Sequence, residues 1–272
     1  FKQLQEAIKM VYASIYSSDA RSYFEAVNYK IEEEKMAVII QELVGNYHDE
    51  YFYPHISGTA QSYNYYPFAD MKPEDGLAVI ALGLGRYVVE GEKAWRFCPK
   101  YPTIQNSTEK DQYKASQVKF YAANLKKTNI NFLEGEDEGI SELEITESEK
   151  HGTLKHLASV YDPDNDRVSP GLDTYGPRIL NFANILQYEY TPLAKTIEII
   201  LDVVQEAIGT SIEIEYAVDL NKDSKYRCSF YLLQIKPMVG NEEDYKVNID
   251  EIIPENTVLY AEKGLGNGII DE

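Results

Sequence analysis

Two carboxylates set two residues apart, Glu213 and Glu215, are followed by an amide and an ammonium at the same spacing, Gln234 and Lys236. Each pair lies in a run of alternating polarity. In GTSIEIEYAVD, Ile212, Ile214, Tyr216 and Val218 fall on one side of an extended chain, and Glu213, Glu215 and Asp219 on the other. In SFYLLQIKP the same period puts Gln234 and Lys236 on one face. The connection LNKDSKYRC is polar and charged, as a hairpin loop should be. Paired antiparallel, the two strands would gather both carboxylates, the amide and the ammonium on one side of a sheet. Carboxylate and amide oxygens are hard ligands suited to Mg2+, which is usually held by one or two carboxylates plus substrate phosphates. A lysine beside them supplies a point charge for a phosphate oxygen. Such a face suits a metal–nucleoside triphosphate. From these residues alone the commoner origin of such a pattern is the wet side of a half-buried strand with no ligand.

The elements that must position this hairpin are legible on either side. Upstream, Leu193, Ile197, Ile200, Leu201, Val204 and Ile208 form one helical stripe, with Thr191 as N-cap, Pro192 in the first turn and Gly209 as the stop. The helix delivers the chain directly to the acidic strand, so the two should pack as a unit. At the N-terminus Leu4, Ala7, Ile8, Val11, Tyr12 and Ile15 share a helical face, and Asp19 could cap a second helix over residues 20–28. Residues 36–44, MAVIIQELV, are a near-continuous apolar run and read as a buried strand ending at Gly45 and Asn46. A further strand at residue 77 runs into Gly83-Leu84-Gly85. EKAWRFCPKYP reads as a strand-and-loop passage with no functional signal. Tyr63, Tyr65 and Tyr66 form an aromatic surface more suited to packing than to sugars or bases. EGEDEGISELEITESEK reads as a surface ribbon with a solvated acidic side. Asp162, Asp164 and Asp166 imitate the opening of a calcium loop, but Arg167 stands where Gly is needed and Asp173 where Glu is needed. A DPDND turn is the preferred reading.

Composition narrows the function classes. The chain has 272 residues, enough for one large domain or two small ones, with 44% hydrophobic and 26% charged residues. A net charge of −19 argues against a general nucleic-acid binder and against an anionic membrane surface. No apolar run approaches the roughly 18 residues of a membrane span. Cys98 and Cys228 are too few for a disulfide framework, so a reducing cytoplasm is the default. The N-terminus reads as an amphipathic helix rather than a signal peptide, and its lack of Met suggests a fragment of a longer chain.

IEIEYAVD followed by YLLQIKP resembles the end of the nucleotide-binding domain of phosphoenolpyruvate synthase and pyruvate phosphate dikinase. The likeness extends to Ala20, Arg21 and Tyr23, to MAVIIQELV, to Phe52, Ser57 and Gly58, and to LGLGRYVVEG, covering approximately residues 3–102 and 182–240 around a divergent acidic insert at about 103–181. It implies an α+β fold, an incomplete ATP-grasp with a mainly antiparallel sheet and packed helices. It implies that residues 1–240 are the later part of the nucleotide domain, and 241–272 a linker and the start of a mobile domain. The implied cofactors are ATP and Mg2+, with Glu215 and Gln234 on the metal. Glu213 would assist the metal or orient the attacking histidine, and Lys236 would neutralise phosphate charge. Gln41, Glu42, Leu43 and Val44 would form the adenine hinge, and Arg86 would stand at a nucleotide contact. The implied partner is a phosphohistidine domain of the same parent chain, with pyruvate reached only through other domains.

Three positions depart from the pattern: Tyr53 for a Thr near phosphates, Arg86 for a Glu facing the nucleotide, and Lys236 for an Arg. Lys cannot make the bidentate phosphate contact of Arg. The family's Lys and Arg-Ser-Ser contacts to the triphosphate would lie before Phe1. None of His48, His55, His151 or His156 has the Ser-His setting of the phosphocarrier, so all four are expected in structural or surface roles. The transferase reading therefore stands beside two others, a regulatory module that keeps the fold without the chemistry, and a scaffold using the acidic ribbon and tyrosines.

Overall fold

The computed structural model describes residues 2–26, 30, 35–127, 136–222, 225 and 227–238. Helices α1 (Lys2–Ser14) and α2 (Ser18–Ala26) come first, then strands β1 (Asn46–His48), β2 (Tyr51–Tyr53), β3 (Ile56–Gln61) and β4 (Leu77–Ala81). A short helix α3 (Arg86–Val89) leads to β5 (Trp95–Phe97), α4 (Glu109–Ala115) and β6 (Lys119–Asn124). Then come β7 (Ile140–Glu144), α5 (Ile145–Lys150), β8 (Ala158–Asp162), β9 (Arg167–Pro170), β10 (Arg178–Leu180) and α6 (Ala183–Leu186). Last among the described residues are α7 (Leu193–Ile208), β11 (Ile212–Asp219) and β12 (Ser229–Pro237). The strands form antiparallel sheets ordered β12-β11-β3-β4-β5, β1-β2-β6-β7 and β10-β8-β9. The fold is α+β, as expected. No helix among the described residues is long and apolar enough to cross a membrane. The expected linker and mobile domain at 241–272 lie outside the described residues.

The five-stranded sheet has one apolar face and one polar face. Ile212, Ile214, Tyr216 and Val218 of β11 are buried with Ile56 and Ala60 of β3 and Ala78 and Ile80 of β4. Helix α7 covers this side with Leu193, Ile197 and Leu201, while Ile200 and Val204 pack at the margin. Burying each such side chain contributes roughly 1.5–3 kcal/mol. A one-residue slip of β11 would exchange that row for its carboxylates, so register is strongly specified. Ile208 of the expected stripe is exposed. Gly209 ends the helix in the left-handed region, φ 82°, and its N–H bonds the Gln205 carbonyl at 2.8 Å. Ser62 extends the β3–β11 ladder by exchanging bonds with Ile212 through its N–H and its Oγ, both at 2.9 Å.

Tyr216 fixes the centre of the sheet. Its ring lies over Gly58, where a Cβ would approach the ring to 2.5 Å and collide with the Val79 carbonyl. Its hydroxyl donates to that carbonyl at 3.1 Å, and Phe230 stacks on it at 5.3 Å. A bulge in β12 opposite Glu215 and Tyr216 skips Leu233, so that Gln234 and Lys236 stay in phase with the carboxylates.

Several local expectations need correction. Residues 36–44 are neither strand nor buried: Ile39 and Ile40 are 87% and 66% exposed. Apolar composition alone buries nothing, and no strand among the described residues covers this run. Tyr53 does not face the polar side of the five-stranded sheet; it is fully buried on β2 against Phe120 and hydrogen-bonds His151 Nδ1 at 2.8 Å and Thr153 Oγ1 at 3.1 Å. Ser17, not Asp19, caps α2, its Oγ accepting the Ala20 N–H at 3.2 Å. Pro192 rather than Thr191 occupies the N-cap of α7. The acidic ribbon is represented by the single strand β7, and its continuation ITESEK is helix α5. The DPDND segment is a turn in which Asp162 Oδ1 accepts the Asp164 N–H at 3.0 Å.

Candidate functional site

Cross-strand pairing aligns two rows on the polar face. In one, Lys236 lies opposite Glu213, Glu213 opposite Gln61 and Gln61 opposite Leu77. In the other, Gln234 pairs with Glu215, Glu215 with Thr59, Thr59 with Val79 and Val79 with Arg96, crossing all five strands. Residues directly opposite one another point to the same side of a sheet, so these side chains share one surface. The hairpin expected from the spacing is present, and Glu213, Glu215, Gln234 and Lys236 meet on it.

The charges within the rows are linked. Lys236 Nζ donates to Glu215 Oε1 at 2.5 Å and lies 4.0 Å from Glu213 Oε1. Its hydrogen bond to Glu215, reinforced by the charges of Glu215 and Glu213, holds the ammonium above its ordinary pKa of 10.5. Gln61 Nε2 donates to Glu213 Oε2 at 2.6 Å. One oxygen of Glu213 is thus tied to β3, and Glu215 is tied to the lysine. Among the described residues, no group of three or more His, Cys, Asp or Glu side chains is placed to hold a metal ion. A divalent cation at this face would need the Gln234 amide and the ligand's own oxygens beside the carboxylates, which is how Mg2+ is commonly held. The donor set fits that chemistry.

A second feature fits a phosphate-bearing ligand. Ser57 projects on the same face of β3, and its buried hydroxyl has no hydrogen-bond partner among the described residues. It lies beside Gly85, where a Cβ would meet nothing nearer than the Ser57 Cβ at 3.8 Å. The Gly83-Leu84-Gly85 turn is braced from the other side. Leu84 N–H bonds the Tyr121 carbonyl at 2.9 Å, and the buried Gln117 amide bonds the Leu82 N–H at 2.9 Å and carbonyl at 3.0 Å. Gly83 has φ +88° and sits 2.7 Å, by its would-be Cβ, from the Tyr121 carbonyl.

The remaining expected contacts lie at the edges. Gln41 Nε2 donates to the Leu233 carbonyl at 3.3 Å, at the β12 bulge, which brings the hinge segment to the hairpin. Gln41, Glu42 and Leu43 are exposed and Val44 is half-buried. Arg86 opens α3, bonds Glu90 at 2.6 Å and lies over the Tyr121 ring at 5.4 Å.

Three of the four histidines form a cluster in which His55 is buried and His48 and His151 are half-buried. His48 stacks on His151 at 5.4 Å and meets His55 edge-on at 6.3 Å. His55 Nδ1 lies 3.1 Å from Asp219 Oδ1 and 3.3 Å from the Leu220 N–H, so the end of β11 is tied to β3 through an imidazole. Burial, helped by the other two rings, brings His48 down to about 4. The fourth, His156, stacks on Tyr190 at 3.9 Å.

Thr59, Gln61 and Arg96 were not singled out by the sequence. The signal was there: Ser57, Thr59 and Gln61 alternate with Ile56, Gly58 and Ala60, and Arg96 lies between Trp95 and Phe97. Each is a strand pattern with one polar face. What the chain order hides is that these strands border β11.

No curated protein matches this chain. Residues 1–257 match the family described as the pyruvate phosphate dikinase AMP/ATP-binding domain. With that match across most of the chain, and with the hairpin, the glycine turn and the acidic face in place, this protein belongs to the pyruvate phosphate dikinase AMP/ATP-binding domain family.

Proposed function

We propose that this chain is the ATP-binding part of a cytoplasmic phosphoenolpyruvate-synthase-like phosphotransferase. It would pass phosphate from Mg-ATP to a carrier histidine in another domain, for conversion of pyruvate to phosphoenolpyruvate. The observation that carries the reading is the meeting of Glu213, Glu215, Gln234 and Lys236 on one sheet face, in a chain of an AMP/ATP-binding family. Glu215 and Gln234 hold Mg2+, which neutralises phosphate charge when bound. Glu213 assists the metal or orients the attacking histidine. Lys236 moves from Glu215 to a phosphate oxygen. Gln41, Glu42, Leu43 and Val44 seat the adenine, and Arg86 contributes an anion contact. Catalysis of phosphoryl transfer is mostly positioning and charge neutralisation, which these residue types supply.

The test is calorimetric titration of the full parent chain with ATP, with and without Mg2+, beside Glu215→Gln. Mg-dependent binding, lost in the variant together with phosphohistidine labelling, is expected. Normal labelling of Glu215→Gln would remove Glu215 from the site. One observation favours a second reading, a nucleotide-binding or regulatory module without the transfer chemistry: Lys236, in place of Arg, closes on Glu215 at 2.5 Å. Binding of ATP by the parent without any labelling would select it.

A further inference from the structure

The row through Glu215 does not end at the nucleotide-type face. It continues over Thr59 and Val79 to Arg96 on the edge strand β5. At strand spacings of about 4.8 Å, Arg96 begins some 14 Å from Glu215, and its side chain spans part of that gap. Between them lies a cavity of about 200 Å3, lined on its polar side by Thr59, Gln61, Asn64 and Arg96, with Tyr65 and Tyr66 at the wall.

Two groups in this cavity have unused hydrogen-bonding capacity. Asn64 is 3% exposed, and its Oδ1 accepts the Tyr66 N–H at 2.9 Å. Its Nδ2 has no protein partner among the described residues and is left for a ligand in the cavity. Arg96 is exposed at the mouth of the cavity, and its guanidinium has no carboxylate or carbonyl partner among the described residues. Lys100, Lys119 and Arg178, by contrast, are paired with Asp75, Glu142 and Glu149. Gln61 joins the cavity to Glu213, since its Nε2 is bonded to that carboxylate and its carbonyl is left for another donor. A fork of donors at one end, an amide donor on the wall and a hydroxyl and amide oxygen at the other end match an anion that also carries hydroxyl groups.

We propose that this cavity binds a small hydroxylated organic anion, with Arg96 on its carboxylate or phosphate and Asn64, Thr59 and Gln61 on its polar body. The inference goes beyond the nucleotide reading and needs no nucleotide.

The experiment titrates the full parent chain, without nucleotide, with glycerate, glycerol 3-phosphate, glycerol and inorganic phosphate by calorimetry. Saturable binding of glycerate or glycerol 3-phosphate at one site is expected, and which of the two binds identifies the anionic group. Glycerol should not bind. Arg96→Gln should weaken the anion at least about tenfold, the loss of a charge-assisted contact. Val79→Phe, which fills the cavity without altering its charge, should abolish binding, with circular dichroism confirming the fold of both variants. Binding of neither organic anion, equal affinity in Arg96→Gln or Val79→Phe, or inorganic phosphate binding as tightly as both would overturn the proposal. Mg-ATP titrated separately against Glu215→Gln keeps failure here distinct from failure of the nucleotide reading.

Discussion

Three glycines lie in or beside the five-stranded sheet, and they should respond to alanine in three different ways. At Gly58 a methyl group would lie 2.5 Å from the Tyr216 ring and clash with the Val79 carbonyl, a backbone atom in the β3–β4 ladder. Tyr216 is fully buried and cannot swing away. Overpacking costs about 1–3 kcal/mol, and a backbone clash belongs at the upper end. At Gly83 the left-handed φ of +88° adds about 1–2 kcal/mol to a contact of 2.7 Å with the Tyr121 carbonyl. At Gly85 the backbone is right-handed helical, φ −59°, and the nearest atom is 3.8 Å away. Alanine there should stabilise by about 0.4–1 kcal/mol through the unfolded chain. For a domain of this size 1 kcal/mol moves Tm by about 2–4 °C. Gly58→Ala and Gly83→Ala should therefore lower Tm by about 6–12 °C for a 3 kcal/mol loss, and Gly85→Ala should leave it unchanged or raise it. Differential scanning calorimetry on the three variants reads this directly. Gly58→Ala melting within about 2 °C of wild type would refute the packing argument that sets the register of the acidic strand. Mg-ATP titration of Gly85→Ala then asks a separate question. If its glycine exists for close ligand approach, affinity falls although stability does not.

The histidine group predicts acid sensitivity. The unfolded chain protonates His48 near 6.5 and the folded chain only near 4, so its neutral-state contribution is complete above 6.5 and is lost as pH falls through that window. The ring is only half-buried, so solvent screening reduces the loss to on the order of 1 kcal/mol. Thermal melts between these limits should show a shallower pH slope in His48→Gln than in wild type; equal slopes would reject the assignment. Lys236→Gln should free Glu215 from its 2.5 Å partner, so Mn2+ without nucleotide should bind more tightly. Mg-ATP should bind about tenfold more weakly for want of the phosphate contact. Both changes in the same direction would show that Lys236 does not alternate between carboxylate and phosphate.

The hairpin was legible because period-two alternation is a local property. Ile212, Ile214, Tyr216 and Val218 face the core and Glu213 and Glu215 face away, as their spacing requires. The α7 stripe and its stop at Gly209 were legible for the same reason. What spacing could not supply was the neighbour across the sheet. β3 borders β11 although some 150 residues separate Gln61 from Glu213, and β5 reaches the row only through β4. Thr59, Gln61 and Arg96 were therefore visible as strand residues but not as site residues. Residues 36–44 failed in the opposite sense. Their composition is that of a core strand, but burial depends on a covering surface, and Ile39 remains 87% exposed.

Position in the fold also gives the three departures from the family pattern unequal weight. Tyr53 bears on the interior: its phenol holds His151 and Thr153 together beneath β2, and it is fully buried. A large residue there alters the four-stranded sheet and the histidine group, not the acidic face. Arg86 directly follows Gly83-Leu84-Gly85, and its charge is already matched by Glu90 and spread over Tyr121. Reversing the sign at that position changes the local field less than a bare guanidinium would, because Glu90 lies 2.6 Å away. Lys236 differs from both, since it sits on the face itself and pairs with Glu215. An arginine there could bridge a carboxylate and a phosphate at once with its fork of donors, whereas a lysine offers one point charge. The ammonium must leave one to serve the other. The balance between a working triphosphate site and a closed one therefore rests on Lys236 and Glu215, and Lys236→Arg, by supplying both contacts together, should tighten Mg-ATP binding, read by calorimetry, while keeping the Glu215 partner that Lys236→Gln removes.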